Sequence, residues 1–343
     1  MHIFYSDAHR AHAGQFEFFR GEKVPCFEKP ERADFVLKAV QAAGIGPVLP
    51  ASEVSMAPLS RVHAPRYLAF LERAWERWTA LGNRTDAIPS VWPIRGFRSD
   101  VEPDNFQAQL GMYSFDSGTP FTAGSWQAAL SGAQLALSAQ AHVAAGARAA
   151  FSLARPPGHH AGPDFFGGYC FINNAAVAAQ AAIDQGAQRV SILDVDYHHG
   201  NGTQSIFYDR ADVQFLSLHG DPRTEYPFYL GHADELGAGA GLGFNHNYPL
   251  PAGCTNERWF DALSQACSQV QAYAPELLII SLGVDTYVGD PISKFRLDKP
   301  EYRRLGAAIA ALRRPTLFIL EGGYAVAEIG ENVAAVLTGF EHG

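Results

Sequence analysis

Val190-Ser191-Ile192-Leu193-Asp194-Val195-Asp196-Tyr197-His198-His199-Gly200-Asn201-Gly202 is the stretch whose reading decides the fold. Residues 190–195 are almost continuously apolar, as expected of a parallel strand covered on both faces. The chain then turns abruptly to carboxylates, imidazoles and glycine. Side chains alternate along a strand, so Asp194, Asp196 and His198 can share one face. Aspartate and imidazole are good ligands for zinc and for ferrous iron. Burying such groups is costly unless they bind something.

The pattern recurs on both sides of this stretch. Residues 149–153 lead into Arg155-Pro156-Pro157-Gly158-His159-His160, residues 277–282 into Gly283-Val284-Asp285, and residues 316–320 into Glu321-Gly322-Gly323-Tyr324. Residues 213–218 form one more apolar run. Helices are predicted over 125–145, 174–184, 257–273 and 301–312, with Gly146, Gly186 and Pro315 at helix stops. Strands alternating with helices predict one α/β domain over residues 1–343 with a mostly parallel sheet. Ligands of such sheets bind beyond the carboxyl ends of the strands, so these polar residues are expected to converge. Residues 82–122 are rich in Pro, Gly and aromatics with little periodicity. They read as a long ordered insertion that forms an interface or a lid at an entrance.

Composition narrows the function classes. Of 343 residues, 47% are hydrophobic and 18% charged, as in globular proteins with a sizeable core. The net charge of -9 argues against a nucleic-acid partner and favours a cationic substrate. Cys26, Cys170, Cys254 and Cys267 form no C-x-x-C pair. Scattered cysteines, no leader-like start and no bilayer-length apolar run predict a cytoplasmic protein without a membrane partner.

Beside Asp196 and His198, Asp285 is the natural third ligand. Three protein ligands leave a metal position open for substrate, which is the catalytic arrangement. The tandem His159-His160 suits proton transfer near neutral pH. Each ring needs a partner, and Asp194 and Asn201 are at hand. Tyr324 follows two glycines, which permit close backbone approach, and a phenol can donate to a developing oxyanion. Tyr169 and Tyr226 are candidates for the entrance.

The motifs R-P-P-G-H-H, G-G-Y-C-F-I-N-N, D-V-D-Y-H-H-G-N-G-T-Q, S-L-H-G-D-P, S-L-G-V-D-T and E-G-G-Y resemble those of the histone deacetylase superfamily, most closely its bacterial acetylpolyamine amidohydrolase branch. The resemblance implies an arginase-like fold with a parallel sheet of about eight strands between helices. It implies that Asp196, His198 and Asp285 hold Zn2+, or alternatively Fe2+ or Co2+. It makes His160 the general base, paired with Asn201, and His159 its electrostatic partner, oriented by Asp194. Tyr324 would polarise the acetyl carbonyl. Tyr169, Gly168, Tyr226, Ile292 and Glu17 would bind substrate, with Cys170 near the tunnel base. Structural K+ ions would use Asp194, Asp196, His198, Ser217 and Leu218, and, at a second place, Phe207, Arg210 and Val213. The partners implied are a small cationic acetylated amine and a second copy of the chain. Where a known polyamine enzyme carries a substrate-facing glutamate, Gln107 stands here, with Glu102 and Asp104 close by as substitutes; Glu17, Glu102, Asp104 and Asp116 are the carboxylates expected near the mouth to pair with a distant ammonium.

Competing readings remain distinguishable. A ureohydrolase would use two manganese ions and needs a second D-x-D, whereas Asp285-Thr286-Tyr287 supplies one Asp. A protein acetyl-lysine deacetylase would share the chemistry and differ at the tunnel rim. A non-catalytic binding module should have lost a ligand, the His pair or Tyr324.

Overall fold

The computed structural model describes residues 1–343. Its strands are β1 (His2–Phe4), β2 (Glu17–Phe19), β3 (Glu22–Val24), β4 (Val48–Leu49), β5 (Ala149–Ser152), β6 (Val190–Asp194), β7 (Val213–Gly220), β8 (Asn245–Leu250), β9 (Leu277–Leu282) and β10 (Thr316–Leu320). β2 and β3 pair as an antiparallel hairpin, and the other eight form one sheet of order β4-β1-β5-β10-β9-β6-β7-β8. Every neighbouring pair in that sheet is parallel.

The helices are α1 (Glu31–Ala42), α2 (Ala57–Val62), α3 (Pro65–Ala80), α4 (Phe106–Met112), α5 (Ser125–Ala144), α6 (Asn174–Asp184), α7 (Asn201–Phe207), α8 (Asn256–Tyr273), α9 (Lys299–Ala310) and α10 (Ile329–His342). Strand alternation divides the interior into two cores. Ile192, Phe215, Ile279, Leu317 and Ile319 face α3, α5 and α6, while Leu193, Leu216, Leu278, Ile280 and Phe318 face α1, α8, α9 and α10. Each fully buried aliphatic side chain contributes about 1.5–3 kcal/mol. Neither face of the sheet is left to solvent, which is why its central strands carry no polar alternation. The result is a single α/β domain with a parallel sheet between helices, as the sequence predicted.

The four central strands are neighbours in the order β5-β10-β9-β6. Their carboxyl ends carry the His159 loop, the Tyr324 loop, Asp285 and Asp196. Segments far apart in sequence are thereby set side by side.

Residues 82–122 form an ordered insertion, in keeping with the sequence reading. Asn105 caps α4 by accepting from the Ala108 N–H, and Ala87 bridges to Phe121. No helix is long and apolar enough to cross a membrane.

Candidate metal and catalytic site

β6 ends at Asp194, and the following bend brings Asp196 and His198 against Asp285 from the end of β9. Ligand atoms of these three buried residues lie within 4.8 Å of one another. His198 Nδ1 is 2.9 Å from Asp285 Oδ2 and 3.4 Å from Asp196 Oδ1. Glycine makes this approach possible. A Cβ on Gly322 would sit 2.5 Å from Asp196 Oδ2 and 2.7 Å from Asp285 Oδ2, and one on Gly283 would sit 2.0 Å from Asp196 Oδ2.

The electrostatics of this cluster fit a cation. Burial and the charge of Asp196 push the Asp285 carboxyl up. Burial opposes charge on His198, but Asp196 and Asp285 outweigh it and lift the imidazole to about 10. Two buried carboxylates this close need a positive charge between them, and Asp, His and Asp are a suitable donor set for zinc.

The paired histidines differ in their partners. His159 Nδ1 lies 2.9 Å from Asp194 Oδ2. Burial works against its charge, but Asp194 and Asp196 raise it to about 10. His160 Nδ1 lies 2.6 Å from Asn201 Oδ1. An amide oxygen accepts, so Nδ1 carries the hydrogen and Nε2 keeps its lone pair. Burial, His159 and His198 hold His160 well below the usual imidazole range. A neutral imidazole beside a charged one can accept a proton.

The loop after β10 is gripped from several sides. Arg32 donates from Nε to the Gly323 carbonyl at 2.7 Å and from Nη2 to the Glu321 carbonyl at 2.5 Å, and its guanidinium lies 4.9 Å from the Tyr324 ring centroid. Glu28 holds Arg32 and Arg155 together in a buried ion-pair cluster. Glu321 Oε2 accepts from the Gly158 and His159 N–H groups, which ties the two loops together. Glu28 and Arg32 were not singled out from the sequence, since no spacing links them to the site, and Glu321 was marked only as the first residue of E-G-G-Y, without a role.

Above this floor lies a cavity of about 870 Å³. Its lining includes the expected Glu17, His160, Gly168, Tyr169, His198, Tyr226, Ile292 and Tyr324, together with Phe115 and Asp116. Gly168 has φ +54°, and a Cβ there would come 2.2 Å from His160 Cδ2. Tyr169 donates its hydroxyl to Glu17 at 2.8 Å. Burial pushes the Glu17 carboxyl up to about 7. Asp116 accepts from the Tyr226 hydroxyl and the Gly168 N–H.

Some expectations are corrected. Glu102, Asp104 and Gln107 are exposed and do not line the cavity, which takes its acidic groups from Glu17, Asp116 and Glu225. Glu102 instead accepts from the Tyr113 hydroxyl. Cys170 is fully buried outside the lining, with its thiol on the Gly168 carbonyl. Of the remaining residues singled out, Ser217 lies in register with Asp194 across β6 and β7, with Leu218 next to it in β7. Phe207 ends α7, Val213 opens β7, and Arg210 between them pairs with Asp212.

Comparison with known proteins shows the family. Residues 26–340 match the histone deacetylase domain family. Acetylpolyamine amidohydrolase 2 of Pseudomonas aeruginosa is 58% identical over 341 residues, spanning 99% of both chains. The acetylpolyamine amidohydrolase of Mycoplana ramosa is 48% identical over 339 residues, again 99% of both. The crystal structure of an acetylpolyamine aminohydrolase from Burkholderia pseudomallei superposes with a TM-score of 0.94 at 38% identity, covering 99% of this chain and 98% of the other. The chain belongs to the histone deacetylase family of amidohydrolases, and its nearly full-length similarity is to the members named acetylpolyamine amidohydrolases.

Proposed function

We propose that this protein hydrolyses the acetyl amide of small acetylated polyamines and diamines, such as acetylputrescine and acetylcadaverine, with a zinc ion held by Asp196, His198 and Asp285. The observation that carries the reading is the convergence of that buried cluster, the neutral His160 and Tyr324 beneath one cavity whose wall holds Glu17, Asp116 and Glu225. Zinc supplies Lewis acidity, polarising the acetyl carbonyl and acidifying the attacking water; Fe2+ or Co2+ suits the same donors.

The chain's own groups do the rest. His160 takes the water proton at Nε2 and returns it to the amine that leaves. His159, charged through Asp194, stabilises the negative charge that develops. The Tyr324 hydroxyl donates to the oxyanion. Tyr169 and Tyr226 flank the acyl chain, Gly168 leaves room beside His160, and Ile292 closes the floor. Glu17 faces the distant ammonium. Structural K+ suits the carboxylates and backbone of Asp194, Asp196, His198, Ser217 and Leu218, and the turn of Phe207, Arg210 and Val213.

The insertion supports a homodimer. Val91, Ile94, Phe97 and Val101 are exposed beside the cavity residues Trp92 and Pro93. Exposed apolar patches of this kind mark interfaces.

The test is a turnover panel of acetylputrescine, acetylcadaverine, acetylspermidine and an internal acetyl-lysine peptide. The diamines should show the highest kcat/KM. If the peptide is hydrolysed better than every acetylated amine, the protein-deacetylase reading replaces this one.

A further inference from the structure

One buried carboxylate touches both the catalytic loop and the cavity floor. Asp290 comes from the loop after β9 and is 8% exposed. Its Oδ2 accepts from the Tyr324 N–H at 2.7 Å and from the Ala325 N–H at 3.2 Å. Its Oδ1 accepts from the Ile292 N–H at 3.0 Å. The same side chain therefore anchors the peptide groups that carry Tyr324 and Ile292, and both of those side chains line the cavity.

The placement is specific. Arg32 holds the carbonyls of residues 321 and 323, so the Tyr324 loop is gripped by its oxygens on one side and by its N–H groups on the other. Gly323 precedes Tyr324 at φ +131° and offers little stiffness of its own. What fixes the height of the phenol must come from its partners.

We infer that Asp290 is a positioning residue for the amide hydrolysis: it sets the Tyr324 hydroxyl against the reacting carbonyl and Ile292 against the acyl end. The inference rests on the assignment of Tyr324 as the oxyanion donor. A carboxylate suits the task because both oxygens accept and neither donates. Asparagine in the same place would turn an NH2 toward either the Tyr324 and Ala325 N–H groups or the Ile292 N–H. Repulsion there would shift one peptide or the other. A displacement of about 1 Å near reacting groups can cost about 100-fold in rate.

The experiment compares wild type, Asp290→Asn, Tyr324→Phe and the double variant, each loaded with zinc. Acetylputrescine and a short acetyl-lysine anilide are assayed in parallel, so that a wrong amine class does not stop the test. Asp290→Asn should lower kcat about 10- to 100-fold while metal content stays that of the wild type. Tyr324→Phe should lower it about 100- to 1,000-fold. In the double variant the added loss in kcat should shrink to within about 2-fold, because residues acting through one another are not additive. A rise in KM, transmitted through Ile292, should persist in both backgrounds. If the asparagine variant does not fold, Asp290→Glu keeps the charge on a longer arm and should show the same pattern.

An equal kcat loss in both backgrounds, an unchanged kcat, or loss of metal in Asp290→Asn overturns the inference while leaving the function intact. Near-full activity in Tyr324→Phe overturns the inference together with the assignment of Tyr324 as the oxyanion donor.

Discussion

His160 Nδ1 lies 2.6 Å from Asn201 Oδ1, whereas Nδ1 of the adjacent His159 lies 2.9 Å from a carboxylate oxygen of Asp194. Asp194, with Asp196, holds His159 charged against its burial, whereas burial, His159 and His198 hold His160 neutral and Asn201 adds no charge to oppose them. Asn201→Asp would place a carboxylate on His160 and raise its pKa. The acidic limb of kcat/KM should then move to higher pH, by about one unit or more, with activity at pH 6 falling relative to pH 8. A profile that does not move would mean that His160 is not the titrating base.

One catalytic divalent ion per chain is expected from the Asp196, His198 and Asp285 cluster. Chelation should abolish activity, and zinc, cobalt or ferrous iron should restore it. Asp285→Ala should lose the metal as well as the activity. Elemental analysis checks the stoichiometry, and two tightly held manganese ions would point to ureohydrolase chemistry instead.

Tyr324→Phe removes one hydroxyl from the cavity and leaves the metal ligands in place. Loss of one oxyanion donor lowers kcat by about 100- to 1,000-fold. Metal content and KM should change little, which steady-state kinetics and elemental analysis together can check.

Glu17 gives the protein a pH signature of its own. Its ordinary value is 4.5 and burial lifts it to about 7. A buried acid raised in this way costs the fold nothing at low pH. The cost grows between those two values and is complete above the upper one. Glu17→Gln should therefore raise Tm relative to wild type more at pH 8 than at pH 4. If Glu17 faces the substrate ammonium, KM for acetylputrescine should fall as pH rises through about 7 in the wild type only. A pH-independent difference in both quantities would leave Glu17 without the role assigned to it.

The exposed apolar residues of the insertion give the assembly prediction. Light scattering should report a dimer, since a stable interface buries at least about 1,000 Å² and the segment is long enough to contribute it. Phe97→Asp, on a side chain 65% exposed in one chain, should shift the protein toward monomer without unfolding it. A wild-type monomer would remove the proposal.

The sequence by itself determined the central strands, because β5, β6, β7, β9 and β10 are buried on both faces and read as apolar runs. It also marked Asp196, His198, Asp285, the His pair and Tyr324, because polar residues directly after such runs stand out. β1 and β4 were missed because two or three residues show no period, and β8 because Asn245-His246-Asn247-Tyr248-Pro249-Leu250 is an edge strand whose asparagines serve a polar network with Gln204 and Glu235. The tertiary structure alone decided the neighbour order β5-β10-β9-β6, which sets His159, Tyr324, Asp285 and Asp196 side by side. It alone decided which of the carboxylates expected near the mouth face the cavity, keeping Glu17 and Asp116 and leaving Glu102 and Asp104 outside. It alone revealed that Asp290, Arg32 and Glu321 hold the catalytic loops. These contacts join residues that are neighbours only after the sheet has formed, through backbone N–H and C=O groups that every sequence carries alike. Local pattern therefore records where a chain is buried, whereas the partner of a buried charge is fixed by packing.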